Sequence, residues 1–178
     1  MKVKSLALLL PLFASSAFAA PLQLDVYNPQ DKAIFPVSST LVSGPKEAIL
    51  FDAQFSTKDG EQLVQMIRAS GKTLKAIVIT SGDPDFYFGL PVIAQAFPNA
   101  KIYATKPTIE HIVATYQNKL ETWRPKLGKN APDFVILPEL LKGDTIKLED
   151  KELKIVGLDS NAPEKSYVWV SSIKAIFG

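Results

Sequence analysis

The sequence contains no cysteine. This excludes disulfides, thiolate metal sites and cysteine nucleophiles, so stability must rest on core packing. Histidine is nearly absent too, with His111 the single example in 178 residues. A zinc site built from several histidines is therefore excluded, and a Ser-His-Asp triad has only His111 to draw on. Nor is there an excess of either charge. The chain carries 20 basic and 18 acidic residues, and without Lys2 and Lys4 the two signs balance at 18 each. Such a chain presents no broad basic surface, so nucleic acid is not an expected partner. After the N-terminal segment no apolar run approaches the roughly 20 residues of a membrane-spanning helix, so no membrane span is expected.

The N-terminus itself carries a clear pattern. Lys2 and Lys4 precede an apolar run from Leu6 to Phe13, and Ala17-Phe18-Ala19 supplies an A-x-A cleavage pattern. This reads as a secretory signal peptide over residues 1–19, with a mature chain from Ala20 that is periplasmic or secreted. Residues 20–178 are expected to form one domain.

The rest alternates strand and helix signals. Leu22–Tyr27, Phe35–Val42 and Glu47–Asp52 read as strands, the latter two joined by a turn over Ser43–Lys46. Ser56 is a good N-cap with Asp59 three residues on, and Gly71 closes the helix that follows. Leu74–Ile79 is β-branched and nearly continuous, as a strand buried on both faces is. A turn over Thr80–Asp85 leads to a short apolar helix over Tyr87–Phe97, then to a strand over Lys101–Ala104. A long helix is expected from Pro107 at its first position to Trp123, stopping before Pro125. Short strands follow at Phe134–Leu137, Thr145–Leu148, Leu153–Val156 and Tyr167–Val170.

Within this layout, the hairpin ending in Asp52, the helix, the buried strand and the turn Thr80-Ser81-Gly82-Asp83-Pro84-Asp85-Phe86-Tyr87-Phe88-Gly89 resemble the metallo-β-lactamase-fold hydrolases. The resemblance covers about Ala33 to Gly178. It implies an α/β fold, a metallo-β-lactamase-like αββα sandwich, incomplete at the C-terminus, with the remainder supplied by self-association or by a missing complement. In the family this turn reads Thr-His-x-His-x-Asp-His. Ser81 then stands at the first metal histidine, Asp83 at the second, Asp85 at the metal-binding aspartate that also acts on the nucleophilic water, and Phe86 at the last histidine. The region of the third ligand, Gly157 to Glu164, offers Asp159, with Glu164 further off.

The resemblance thus implies Asp85 as the catalytic group and Asp83, Asp85 and Asp159 as metal ligands, with Asp52 nearby. An all-oxygen set suits magnesium, calcium or manganese better than a di-zinc centre, because serine and phenylalanine replace imidazoles. The substrate it implies is a small ester, lactone or amide. Two other readings stand beside this one: a ligand-binding pseudoenzyme that takes a small molecule without turning it over, and a truncated fragment.

Local chemistry offers plainer roles. Asp83 and Asp85 flank Pro84 at a helix start and are expected as caps. Asp52 is expected as a turn residue, and His111 as a helix-surface residue far from the turn. Lys119, Arg124, Lys126 and Lys129 are expected to form a solvated face. The aromatic residues Phe86, Tyr87, Phe88, Tyr103, Tyr116, Trp123 and Trp169 are expected in the core.

Overall fold

The computed structural model describes residues 20–178; the expected signal peptide, 1–19, lies outside the described residues. Ten strands and three α-helices follow one another in the order β1 (Gln23–Tyr27), β2 (Ser39–Ser43), β3 (Glu47–Phe51), α1 (Thr57–Ser70), β4 (Thr73–Ile79), α2 (Leu90–Ala96), β5 (Lys101–Ala104), α3 (Lys106–Leu127), β6 (Glu139–Leu140), β7 (Thr145–Leu148), β8 (Lys151–Val156), β9 (Tyr167–Val170) and β10 (Ala175–Phe177). The first six strands form one sheet in chain order, antiparallel from β1 to β3 and parallel from β3 to β6. The second sheet is antiparallel, in the order β10-β9-β8-β7.

Strand alternation builds two cores from one sheet. Leu41, Leu50, Ile77 and Ile79 face a cluster that includes Leu63, Ile67, Leu90 and Ile112 from the three helices. Val42, Ile49, Phe51, Ala76 and Val78 face a second cluster with Leu148, Leu153, Ile155, Val168 and Val170 from the other sheet. The period of two along each central strand therefore fixes a helix–sheet–sheet layering. Among the described residues no helix is long and apolar enough to cross a membrane.

Helix α1 forms as its sequence dictates. The Ser56 hydroxyl accepts from the Asp59 amide at 3.0 Å and donates to the Asp59 carboxylate at 2.6 Å, and Gly71 closes the helix at φ 67°. Other boundaries move. Phe35–Ser38 lies outside the ladder, since the Pro36 and Val37 carbonyls bond the Asn28 and Gln54 side chains instead. The helix expected over Tyr87–Phe97 begins only at Leu90. Ahead of it, the Phe86 carbonyl accepts from the Ala53 amide and the Gly89 amide donates to the Gln54 carbonyl, tying that turn to the end of β3.

Helix α3 opens at Lys106, one residue early, and continues through Pro125 to Leu127. A proline in the last turn removes a single amide donor, and that exposed turn tolerates the loss. No strand forms at Phe134–Leu137; the chain pairs with β5 only at Glu139–Leu140, after Pro138. Phe134 is exposed there, while Val135 and Ile136 still pack on the helical core.

Candidate functional site

The parallel strands β3, β4 and β5 deliver their C-terminal ends to one edge of the molecule, where open α/β sheets place their sites. Asp52 follows β3 directly. It is buried, has the left-handed φ of 64°, and accepts from the Thr80 amide at 2.8 Å and the Thr80 hydroxyl at 2.7 Å. Burial pushes its carboxyl up to about 7, against the lowering effect of both Thr80 bonds. Asp52 is thus a buried strut holding the start of the turn, not the ordinary turn residue expected.

The turn is also stitched to the loop between β8 and β9. The Gly82 amide donates to the Glu164 carbonyl at 3.1 Å. The Ser166 amide and hydroxyl both donate to the Thr80 carbonyl, each at 2.9 Å. Ser81 is buried and forms a lone bridge with Lys165. From the third side comes α3, whose Thr108 hydroxyl donates to the Glu164 carbonyl at 3.3 Å. A side-chain carbon at Gly82 would lie 2.7 Å from His111 Cδ2, so glycine is what lets this helix lie against the turn.

Asp83 is the centre of the arrangement. Lys119 Nζ lies 3.1 Å from its Oδ1 and Lys165 Nζ lies 3.0 Å from its Oδ2. Lys119 Nζ also reaches the Gly82 carbonyl at 2.9 Å and His111 Nε2 at 3.1 Å. Burial works to raise the Asp83 carboxyl, and the Lys165 and Lys119 ammonium groups outweigh it, holding it below the ordinary carboxylate range. Its side chain makes no capping bond, so the expected cap role is corrected. His111 is not remote from the turn either: its Nε2 lies 3.9 Å from Asp83 Oδ1. Lys119 likewise leaves the expected solvated face; its side chain is only 19% exposed.

Asp85 is half-buried in the short 3-10 turn Pro84–Phe86. Burial raises its carboxyl, and the neighbouring Asp83 charge adds to the rise. Phe86 packs on the helical core, and Tyr87 and Phe88 are fully buried within it. Asp159 is exposed, in the turn after β8. Among the described residues no group of three or more histidine, aspartate or glutamate side chains is arranged to hold a metal ion.

A model of the metallo-β-lactamase superfamily matches residues 34–177. The chain belongs to the metallo-β-lactamase superfamily. Solved structures agree on the fold. The B3 metallo-β-lactamase BLEG-1 aligns with a TM-score of 0.63 at 13% identity, over 88% of this chain and 70% of that one. A metallo-β-lactamase from Pontibacter korlensis aligns at 0.60 and 15% identity, over 90% and 67%. The flavodiiron protein from Giardia intestinalis aligns at 0.56 and 18% identity, over 79% of this chain and 31% of that one. The chain therefore spans only part of the length of each. No curated protein gives a significant match.

The superfamily implies a metal at this turn, and the donors present do not fit one. Phe86 offers no ligand atom and Ser81 offers a neutral hydroxyl in place of an imidazole. Both oxygens of Asp83 already face ammonium groups, whose charge repels a second cation. Sequence reasoning missed Lys119 and Lys165. No local pattern marks either one: Lys165 lies just past the region expected for the third ligand, and Lys119 belongs to a basic run on α3.

Proposed function

We propose that this chain is an exported, non-hydrolytic member of the metallo-β-lactamase superfamily that binds a small organic anion. The observation that carries the first half is the clamping of Asp83 by Lys119 and Lys165. A carboxylate neutralised by two ammonium groups does not recruit the divalent cation that would lower the pKa of a bound water. The N-terminal segment supports export by its sequence pattern alone.

The ligand class comes from a cleft of about 590 Å³ between the start of α1, the end of α3 and the segment after β1. Its volume lies in the range of ordinary small-molecule pockets. Tyr27 and Phe55 give it aromatic walls, and Lys32, Lys58 and Lys126 line it. None of these lysines pairs with a carboxylate among the described residues, though Lys126 sits 4.2 Å over the Trp123 ring. The one acid in the lining, Asp59, is held by the Tyr27 and Ser56 hydroxyls at 2.8 and 2.6 Å. The cleft thus combines apolar walls with an excess of cationic donors, which suits an aromatic or aliphatic carboxylate.

The test is a thermal-shift screen of organic carboxylates, paired with turnover assays on esters, lactones and β-lactams. The expected result is a saturable rise in Tm. That rise should be lost in the Lys58→Ala/Lys126→Ala double variant, and no substrate should be turned over. Chelator-sensitive turnover would contradict the proposal.

One observation favours the alternative of a metallo-hydrolase acting on a small ester, lactone or amide. Asp85 has a raised, half-buried carboxyl and makes no salt bridge among the described residues, which suits a general base. On that reading Asp85→Asn abolishes turnover while the fold stays intact.

A further inference from the structure

Three features surround Lys119 Nζ: the Gly82 carbonyl at 2.9 Å, Asp83 Oδ1 at 3.1 Å and His111 Nε2 at 3.1 Å. An ammonium group has three N–H donors, and here each has an acceptor. The contact with His111 requires Nε2 to accept, placing the ring proton on Nδ1. One carboxylate oxygen, one carbonyl oxygen and one imidazole nitrogen form a mixed oxygen and nitrogen set of the kind that binds divalent metals. Its occupant is the chain's own cation.

We propose that Lys119 is a built-in cation that takes the place of a metal ion, its ammonium group filling a latent divalent-cation site between the turn and α3. The positions of the three acceptors support this. Gly82 and Asp83 belong to the turn, and His111 belongs to α3, so the ammonium group ties two separate elements as a bridging ion would. Helix geometry supplies the reach. Side chains on a helix lean towards its N-terminus, which carries the Lys119 stem back along α3 to the turn. The second ammonium, Lys165, holds the other oxygen of Asp83 from outside and is 57% exposed, so it lies beside the latent site without filling it. The consequence is a turn that keeps its shape with no dependence on metal supply.

This inference rests on the reading that the wild-type protein carries no divalent cation, and the experiment separates the two. Wild type, Lys119→Ala and Lys119→Ala/His111→Ala are purified without chelator. Each is titrated with Zn²⁺, with Tm and bound metal per chain as readouts. Lys119→Ala is expected to melt below wild type without metal, to regain Tm with Zn²⁺, and to bind that ion at least about tenfold tighter than wild type. Adding His111→Ala is expected to remove the gain. If Lys119→Ala is unfolded when purified, refolding by Zn²⁺ or by methylammonium, which restores the missing ammonium, supports the proposal. A folded Lys119→Ala with no gain in Zn²⁺ affinity overturns it, as does an unfolded one that neither cation rescues. Stoichiometric metal in the wild-type protein would sink both this inference and the reading beneath it.

Discussion

Asp52 makes the pH dependence of stability a sharp test of the site's architecture. In the unfolded chain its carboxyl titrates near 3.8, and burial in the fold moves it to about 7. Between those values the folded chain keeps a proton that the unfolded chain has released. Stability is therefore fully present below the lower value and is withdrawn as the pH rises through the upper one. At 1.36 kcal/mol per pH unit, the difference is worth at most about 4 kcal/mol. Asp83 acts in the opposite sense in a different window, because its lowered carboxyl costs stability only as the pH falls through the acid range.

Asp52→Asn isolates the first effect. The amide oxygen accepts from the Thr80 amide as the carboxylate does, and the NH₂ group donates to the Thr80 hydroxyl. Asparagine also tolerates the left-handed φ of 64° at this position. Urea unfolding at a series of pH values between about 4.5 and 8 should show wild-type stability falling steeply with pH and the variant's curve falling less, its remaining slope belonging to the raised carboxyl of Asp85. The two should cross, so that the variant is the more stable at the alkaline end. Parallel curves, or a variant less stable at every pH, would refute the assignment of Asp52 as a buried, proton-holding strut.

Other expectations follow from single contacts. Tyr87 has a buried hydroxyl with no partner among the described residues, so Tyr87→Phe should stabilise the protein by about 1 kcal/mol in denaturant unfolding. A side-chain carbon at Gly89 would run into the Ala53 carbonyl, so Gly89→Ala should destabilise by about 3 kcal/mol or more and lower Tm accordingly. Lys165→Ala removes an ion pair whose lysine is 57% exposed and should cost less than about 1 kcal/mol, an effect that shrinks further in high salt.

Where one residue pattern decides an element, the sequence was enough to read it. Ser56 and Gly71 bound α1 as capping chemistry requires, and the β-branched run Leu74–Ile79 lies buried at the centre of the first sheet. The superfamily was legible because the hairpin, the helix, the buried strand and the turn fall in order along the chain. Elements decided by tertiary partners were not legible. Phe134–Leu137 has the composition of a strand but joins no ladder, the chain meeting β5 only at Glu139–Leu140, and the Tyr87–Gly89 turn is kept out of α2 by bonds to Ala53 and Gln54.

The site shows the same division. Asp83 and Asp85 were marked by their places in the turn. What they do depends on Lys119, 36 residues further along, and on Lys165, in another sheet's loop. Nothing local distinguishes Lys119 from the exposed basic residues that follow it on α3. Its role comes from its distance to His111 and Gly82, and only folding sets that distance.

The most direct test of the central claim is the metal content of the full protein, expressed in its native compartment and purified without chelator. Elemental mass spectrometry is combined with Tm measured before and after treatment with a strong chelator. The account predicts far less than one divalent ion per chain and an unchanged Tm, because an ammonium group already holds the turn together. Near one ion per compact chain, with a Tm that falls on chelation, would contradict it.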